Sequence, residues 1–262
     1  MSYSSLGCNY VNGRRFHAFR EGRYPLPNDE GEQYRGDLNS YLFQDICEGK
    51  MFLASLEESP RKVLELGTGT GSWAIDMAER YPDAQIVGVD LSRIQPSFMT
   101  NVDFQVDDVE SEWLHPTDFD FIFMRELSVY IQDPRKLFER AFRHLKPGGW
   151  IECQDLELAA YSDDGTLPEG APLRRLFDVI RVVKDIGGHY GAENHLPLIG
   201  GFLREAGFTR VEQSMHRKIP WSPWAQDPRE ISGIIEGSRR TVRDDSLHPY
   251  SNFVIWTAQK PL

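Results

Sequence analysis

Apolar residues recur along this chain in two rhythms. Between Arg61 and Glu157, short apolar runs alternate with amphipathic stretches. The runs Val63-Leu64-Glu65-Leu66, Gln85 to Asp90, Val102 to Val106 and Phe119 to Arg125 are short and rich in β-branched or aromatic residues, the pattern of buried strands. After the first run, Trp73, Ile75, Met77 and Ala78 interleave with Asp76, Glu79 and Arg80, as on an amphipathic helix. The turn Leu145-Lys146-Pro147-Gly148-Gly149-Trp150 leads into a fifth strand. This alternation predicts a doubly wound, mostly parallel α/β sheet. Upstream lie a polar arm over 1–36 and a helical lead-in over 37–58. Downstream, helices are predicted near 169–187 and 195–206, with strand-like runs at 208–219 and 251–259.

The chemistry gathers after the first strand. Gly67, Gly69 and Gly71 alternate with Thr68 and Thr70 and open the helix. Glycine serves where the backbone takes positive φ or touches a ligand, and a helix start offers free N–H groups. The spacing G-x-G-x-G, with Glu65 before it, departs from the G-x-G-x-x-G of pyrophosphate binders. An acid at that strand end would repel a pyrophosphate and attract an ammonium or sulfonium group. Asp90 ends the second strand and can accept both ribose hydroxyls. Asp107 and Asp108 end the third and could read an adenine amine. Three acidic strand ends beside one glycine loop suit a cationic nucleoside, S-adenosylmethionine.

The loop, the two acidic strand ends and the Lys-Pro-Gly-Gly turn together resemble the class I S-adenosylmethionine-dependent methyltransferases. The flanks Asn12 to Phe19, Tyr24 to Asp29 and His248-Pro249-Tyr250 are similar to signatures of the fungal LaeA-like (UMTA-type) branch, so the resemblance covers nearly the whole chain. It implies a Rossmann-like methyltransferase sheet whose last strand is antiparallel. It further implies an N-terminal arm over 1–36 and one domain over 37–262, with a cofactor half over 61–157 and a substrate-side half over 158–262. The expected cofactor set is Glu65, Gly67, Thr68, Gly69, Gly71, Asp90, Leu91, Asp107, Asp108, Val109 and Arg125. Arg15 and Tyr24 are expected to close over it from the arm, Arg matching a carboxylate by its fork of donors. One departure concerns Asp227 to Ile231, a shorter passage than the family carries between its Trp-rich region and the His-Pro-Tyr element.

Composition narrows the partners. The net charge is −11, from 40 acidic and 29 basic residues, which disfavours direct contact with nucleic acid. Cys8, Cys47 and Cys153 form no C-x-x-C pair, so neither a zinc site nor a disulfide framework is expected. No apolar run is long enough to span a bilayer, and no signal-like leader opens the chain. A cytoplasmic or nuclear protein is expected.

Methyl transfer from a sulfonium asks mainly for positioning, with a base where the nucleophile is a protonated oxygen or nitrogen. His189, His195 and Glu126 are the candidates, the histidines flanking Tyr190 to Asn194 after the fifth strand and Glu126 following the fourth. Trp221 and Trp224 are candidates for an apolar pocket wall. The leading expectation is methylation of a small molecule or a protein in fungal secondary metabolism. The alternatives are a cofactor-binding regulator of LaeA type that works through protein partners, and a methyltransferase fold turned to non-methylating chemistry.

Overall fold

The computed structural model describes residues 7–97, 100–178, 195–220 and 240–262, with backbone alone for 216–220. Strands β1 (Cys8–Val11) and β2 (Arg14–His17) form an antiparallel hairpin. Asn12 and Gly13 make its turn with φ of +50° and +78°, the left-handed geometry of a two-residue hairpin loop. Helix α1 (Glu30–Ile46) begins earlier than the lead-in expected at 37. Asp29 explains the early start: its carboxylate accepts the Glu32 N–H and caps the helix. Glu48 and Gly49, both at positive φ, follow its C-terminal end.

The main sheet comprises β3 (Lys62–Leu66), β4 (Gln85–Asp90), β5 (Val102–Val106), β6 (Phe119–Arg125), β7 (Leu145–Leu156), β8 (Thr209–Pro220) and β9 (Tyr250–Gln259). Their order is β5-β4-β3-β6-β7-β9-β8. The first five pair in parallel, while β9 runs antiparallel to both β7 and β8. This is the doubly wound sheet with an antiparallel last strand that the sequence predicts. The chain reverses its winding direction at β3 and β6, which sit side by side although β4 and β5 come between them in sequence. Such a switch point opens a crevice at the carboxyl ends of the strands.

Both sheet faces are covered, which is why the central strands are apolar nearly throughout. Helix α2 (Ser72–Arg80) covers one face, where Trp73 stacks on Phe123 with centroids 3.9 Å apart. Helix α3 (Pro134–His144) and the short helix Ile199–Glu205 cover the other, with Leu137, Phe138, Ala141 and Leu203 buried against β6, β7 and β9. Helix α1 packs Phe43 flat on Phe253, 4.6 Å between centroids. A helical run at 172–178 joins a smaller cluster around Leu167 and Phe177.

Candidate functional site

A cavity of about 210 Å³ lies at the carboxyl ends of β3, β4, β5 and β6, and α1 and the arm close it from the opposite side. Seven acidic side chains and three arginines line it, a balance that selects a cationic or neutral polar ligand over an anionic one.

The glycine loop forms the floor. The N–H groups of Gly67 and Thr68 both donate to the Val89 carbonyl, at 2.8 and 3.0 Å, which ties the loop to β4. Gly67, Gly69 and Gly71 have φ of +71°, +56° and +83°. Their reasons for being glycine differ. A Cβ on Gly69 would meet nothing within 4 Å, so its free face opens into the cavity. A Cβ on Gly71 would lie 2.5 Å from Phe104 Cζ. Gly71, expected as a ligand contact, instead lies behind the lining and makes room for the β5 aromatic ring.

Asp90 ends β4 with one carboxylate oxygen accepting the Gly69 N–H at 2.9 Å and the other accepting the Ser92 N–H at 2.8 Å. Burial pushes its pKa up to about 6, opposed by these backbone donors. Glu65, 5% exposed, accepts a hydrogen bond from the Thr68 hydroxyl. Burial pushes its carboxyl up to about 8 against that hydrogen bond and the nearby positive charge of Arg125. Leu91, Asp107, Asp108 and Val109 line the β4–β5 end. Asp108 faces the arm: Arg23 Nε stands 3.6 Å from its carboxylate, and Arg23 also pairs with Glu110.

Arg125 emerges from β6 between the Phe43 and Phe123 rings, 5.5 and 5.1 Å from their centroids. Its guanidinium donates to Gln154 Oε1 at 2.7 Å and to Ser40 Oγ at 3.3 Å. Gln154 in turn donates to Glu152, whose other oxygen accepts the Leu53 and Ala54 N–H groups. This buried chain links the cavity to the loop after α1. Glu126 follows at φ +50° and lines the cavity, its carboxylate held by Asn39.

The arm supplies different groups from those expected. Tyr24 lines the cavity, its ring edge-on to Tyr130 at 4.7 Å. Arg15 does not line it. The Asn28 N–H donates to the Arg15 carbonyl at 2.7 Å, and the Arg15 side chain turns along the same segment to Asn28 and Glu30. Arg23 and Arg35 are the cations that reach the cavity from this side. Asn28 joins the arm to the site by donating to Ser92 Oγ at 3.1 Å.

His195 is 7% exposed and packs edge-on to Phe202 at 6.0 Å, on the side of the sheet covered by α3 and away from the cavity lining. His189, Trp221, Trp224 and the passage 227–231 lie outside the described residues. Sequence reasoning passed over Arg23, Arg35, Asn39 and Tyr130. Three of these sit on α1 or in the arm, and only Glu32 and Asn39, two turns apart along α1, hinted that its inward face was polar.

Comparison with known proteins agrees with this geometry. The family described as "Methyltransferase domain" matches residues 38–213. Methyltransferase pytC of Aspergillus terreus is 34% identical, over 100% of this chain and 90% of its own. The secondary metabolism regulator LAE1 of Cochliobolus heterostrophus is 30% identical over 97% of this chain and 95% of its own. Among solved structures, a phosphoethanolamine N-methyltransferase 2 of Haemonchus contortus, in complex with S-adenosylhomocysteine, superposes with a TM-score of 0.55 at 22% identity. That match covers 87% of this chain and 54% of the other, and at such identity it speaks for the fold. Glycine loop, acidic strand ends and relatives converge: this chain belongs to the S-adenosylmethionine-dependent methyltransferases, within the fungal family that includes pytC and the LaeA-type proteins.

Proposed function

We propose that the cavity seats S-adenosylmethionine along the strand ends and that the protein transfers its methyl group to a small molecule or a protein in fungal secondary metabolism. One observation carries this reading: the acids ending β3, β4 and β5 all line a single cavity with the glycine loop. In this seating the adenine lies by Asp107, Asp108, Leu91 and Val109, and the ribose by Asp90. The aminoacyl end lies between Glu65, Gly67, Thr68 and Arg125, with Tyr24 and Arg35 above it. The cofactor supplies an already activated methyl group; the chain's residues hold it, exclude water and orient the acceptor.

Titration calorimetry tests the seating. Wild type binds S-adenosylmethionine, and Asp90→Ala loses about 1.5–3 kcal/mol, the worth of a hydrogen bond to a charged group. Wild-type affinity in that variant would remove the ribose assignment. Labelled cofactor incubated with a metabolite extract then separates a small-molecule product from labelled protein. A second prediction concerns the arm. Its contacts Arg23–Glu110 and Asn28–Ser92 tie it to the cavity lining, so hydrogen exchange over residues 10–25 is expected to slow when cofactor is added. Exchange that stays the same would leave the arm a purely structural element.

A regulatory role through protein partners is a second reading. The relative named a regulator favours it, as does α1, where Tyr34, Leu38 and Tyr41 form one stripe exposed by 67%, 49% and 70%. Among the described residues no helix is long and apolar enough to cross a membrane. A cytoplasmic or nuclear location fits both readings.

A further inference from the structure

Backbone strain, hydrogen bonding and the cavity coincide at Glu126. A φ of +50° is uncommon for a residue with a side chain and persists only where surroundings impose it. Here two elements impose it. The Glu126 N–H donates to the Gln154 carbonyl on β7 at 2.8 Å. From α1, the Asn39 carboxamide donates to the two carboxylate oxygens at 3.1 and 3.3 Å. Asn39 is 3% exposed, so a polar group has been buried to make this contact. The charged groups around Glu126 are Arg35 and Glu32 from α1 and Arg125, the preceding residue at the end of β6, with Tyr130 from the turn that follows. Burial raises the Glu126 pKa, opposed by Arg35, Asn39 and Arg125, which leaves a carboxylate of increased basicity.

Strand order places this carboxylate. Strand β4 lies on one side of the glycine loop and β6 on the other. With ribose at Asp90, the sulfonium and its methyl group fall toward β6 and Glu126. We propose that Glu126 takes the proton of the methyl acceptor, that Asn39 is its positioning residue, and that the acceptor is a neutral hydroxyl or amine still carrying its proton. This rests on the cofactor seating above. In the step, the acceptor oxygen or nitrogen bonds to the methyl carbon and the carbon–sulfur bond breaks. Its electron pair stays on sulfur, giving S-adenosylhomocysteine, and the acceptor's proton passes to the Glu126 carboxylate. A neutral nucleophile gains positive charge as it accepts the methyl, and a fixed carboxylate stabilises that charge. An anionic acceptor would instead meet like charge.

Carbon-13 NMR of protein labelled at glutamate carboxyls tests this, the Glu126 resonance being identified by its absence in Glu126→Gln. The titration midpoint is compared between the S-adenosylmethionine and S-adenosylhomocysteine complexes, which differ by one positive charge at sulfur. The midpoint is expected about one pH unit lower with the sulfonium, as an opposite charge nearby dictates. Asn39→Ala is expected to raise the midpoint in both complexes and shrink the difference between them, which a merely structural role would not do. Equal midpoints in two tightly bound wild-type complexes would overturn the placement of Glu126. Failure of the wild type to bind either compound would overturn the seating itself, and this inference with it. For the acceptor class the probes are phenol and benzoate, added to the S-adenosylhomocysteine complex. Phenol is expected to move the Glu126 resonance and benzoate to leave it unmoved; equal shifts, or none from phenol, would overturn the class.

Discussion

Gly69→Ala is expected to fold and lose cofactor affinity, whereas Gly71→Ala is expected to lose stability. Both residues sit at positive φ, where a side chain costs about 1–2 kcal/mol. The surroundings separate them. At Gly69 the new methyl enters open space on the cavity side, so the fold bears only the backbone cost. Ligand and methyl then compete for one volume, and affinity falls at least about tenfold, or ~1.4 kcal/mol. At Gly71 the methyl would stand 2.5 Å from Phe104 Cζ. That ring also lies over Gly88, where a Cβ would be 2.8 Å from Phe104 Cδ1, so it cannot retreat in that direction. Overpacking adds ~1–3 kcal/mol to the backbone cost. Thermal unfolding and calorimetry on the two variants check this. Undiminished affinity in Gly69→Ala would mean that the loop face does not touch the ligand.

Raising the pH from 4 to 8 is expected to destabilise the ligand-free protein. Three buried carboxyls have raised pKa values, mainly through burial: Glu65 to about 8, Glu152 to about 7 and Asp90 to about 6. Each binds its proton more tightly folded than unfolded. Its contribution is full below the unfolded value near 4 and is lost as pH rises through the folded value. Each is worth on the order of 3–5 kcal/mol. The contrary group includes Asp29, which Arg14 holds down at about 2. Its contribution is present above the unfolded value and lost below pH 4, outside this window; His17 and His115, whose pKa values burial lowers, oppose the trend within it. Urea unfolding at intervals across the range measures the slope, and Glu65→Gln is expected to flatten it between pH 5 and 8. A slope of the opposite sign would show that these carboxyls are better solvated than their burial implies. The destabilisation has a functional side, since a site that carries uncompensated acid when empty gains most from a cationic ligand.

Most of the strand and helix pattern was legible because the central strands are covered on both faces. Burial there demands unbroken apolar runs such as Phe121 to Met124, and no other local structure explains them. The glycine loop and the acids ending β3, β4 and β5 were legible for a related reason. A strand's end is marked in sequence, and parallel winding brings neighbouring ends to one edge. The same logic fails for α1. Its polar face at Glu32, Arg35 and Ser40 turns inward to the cavity, while Tyr34, Leu38 and Tyr41 face outward. Periodicity alone assigns a helix's apolar stripe to the core, and here a polar cavity inverts the rule.

Sequence by itself therefore determined the fold class, the cofactor and the strand ends that line the cavity, because those follow from local pattern and winding. Tertiary structure alone decided which groups come from elsewhere in the chain. It set Arg23 and Arg35 at the cavity in place of Arg15, put His195 against Phe202 outside it, and gave Gly71 to Phe104. It also joined Asn39 to Glu126, 87 residues apart. Contacts at such separations depend on how α1 and the arm dock across the sheet edge, and that docking is set by packing of surfaces that no local pattern encodes.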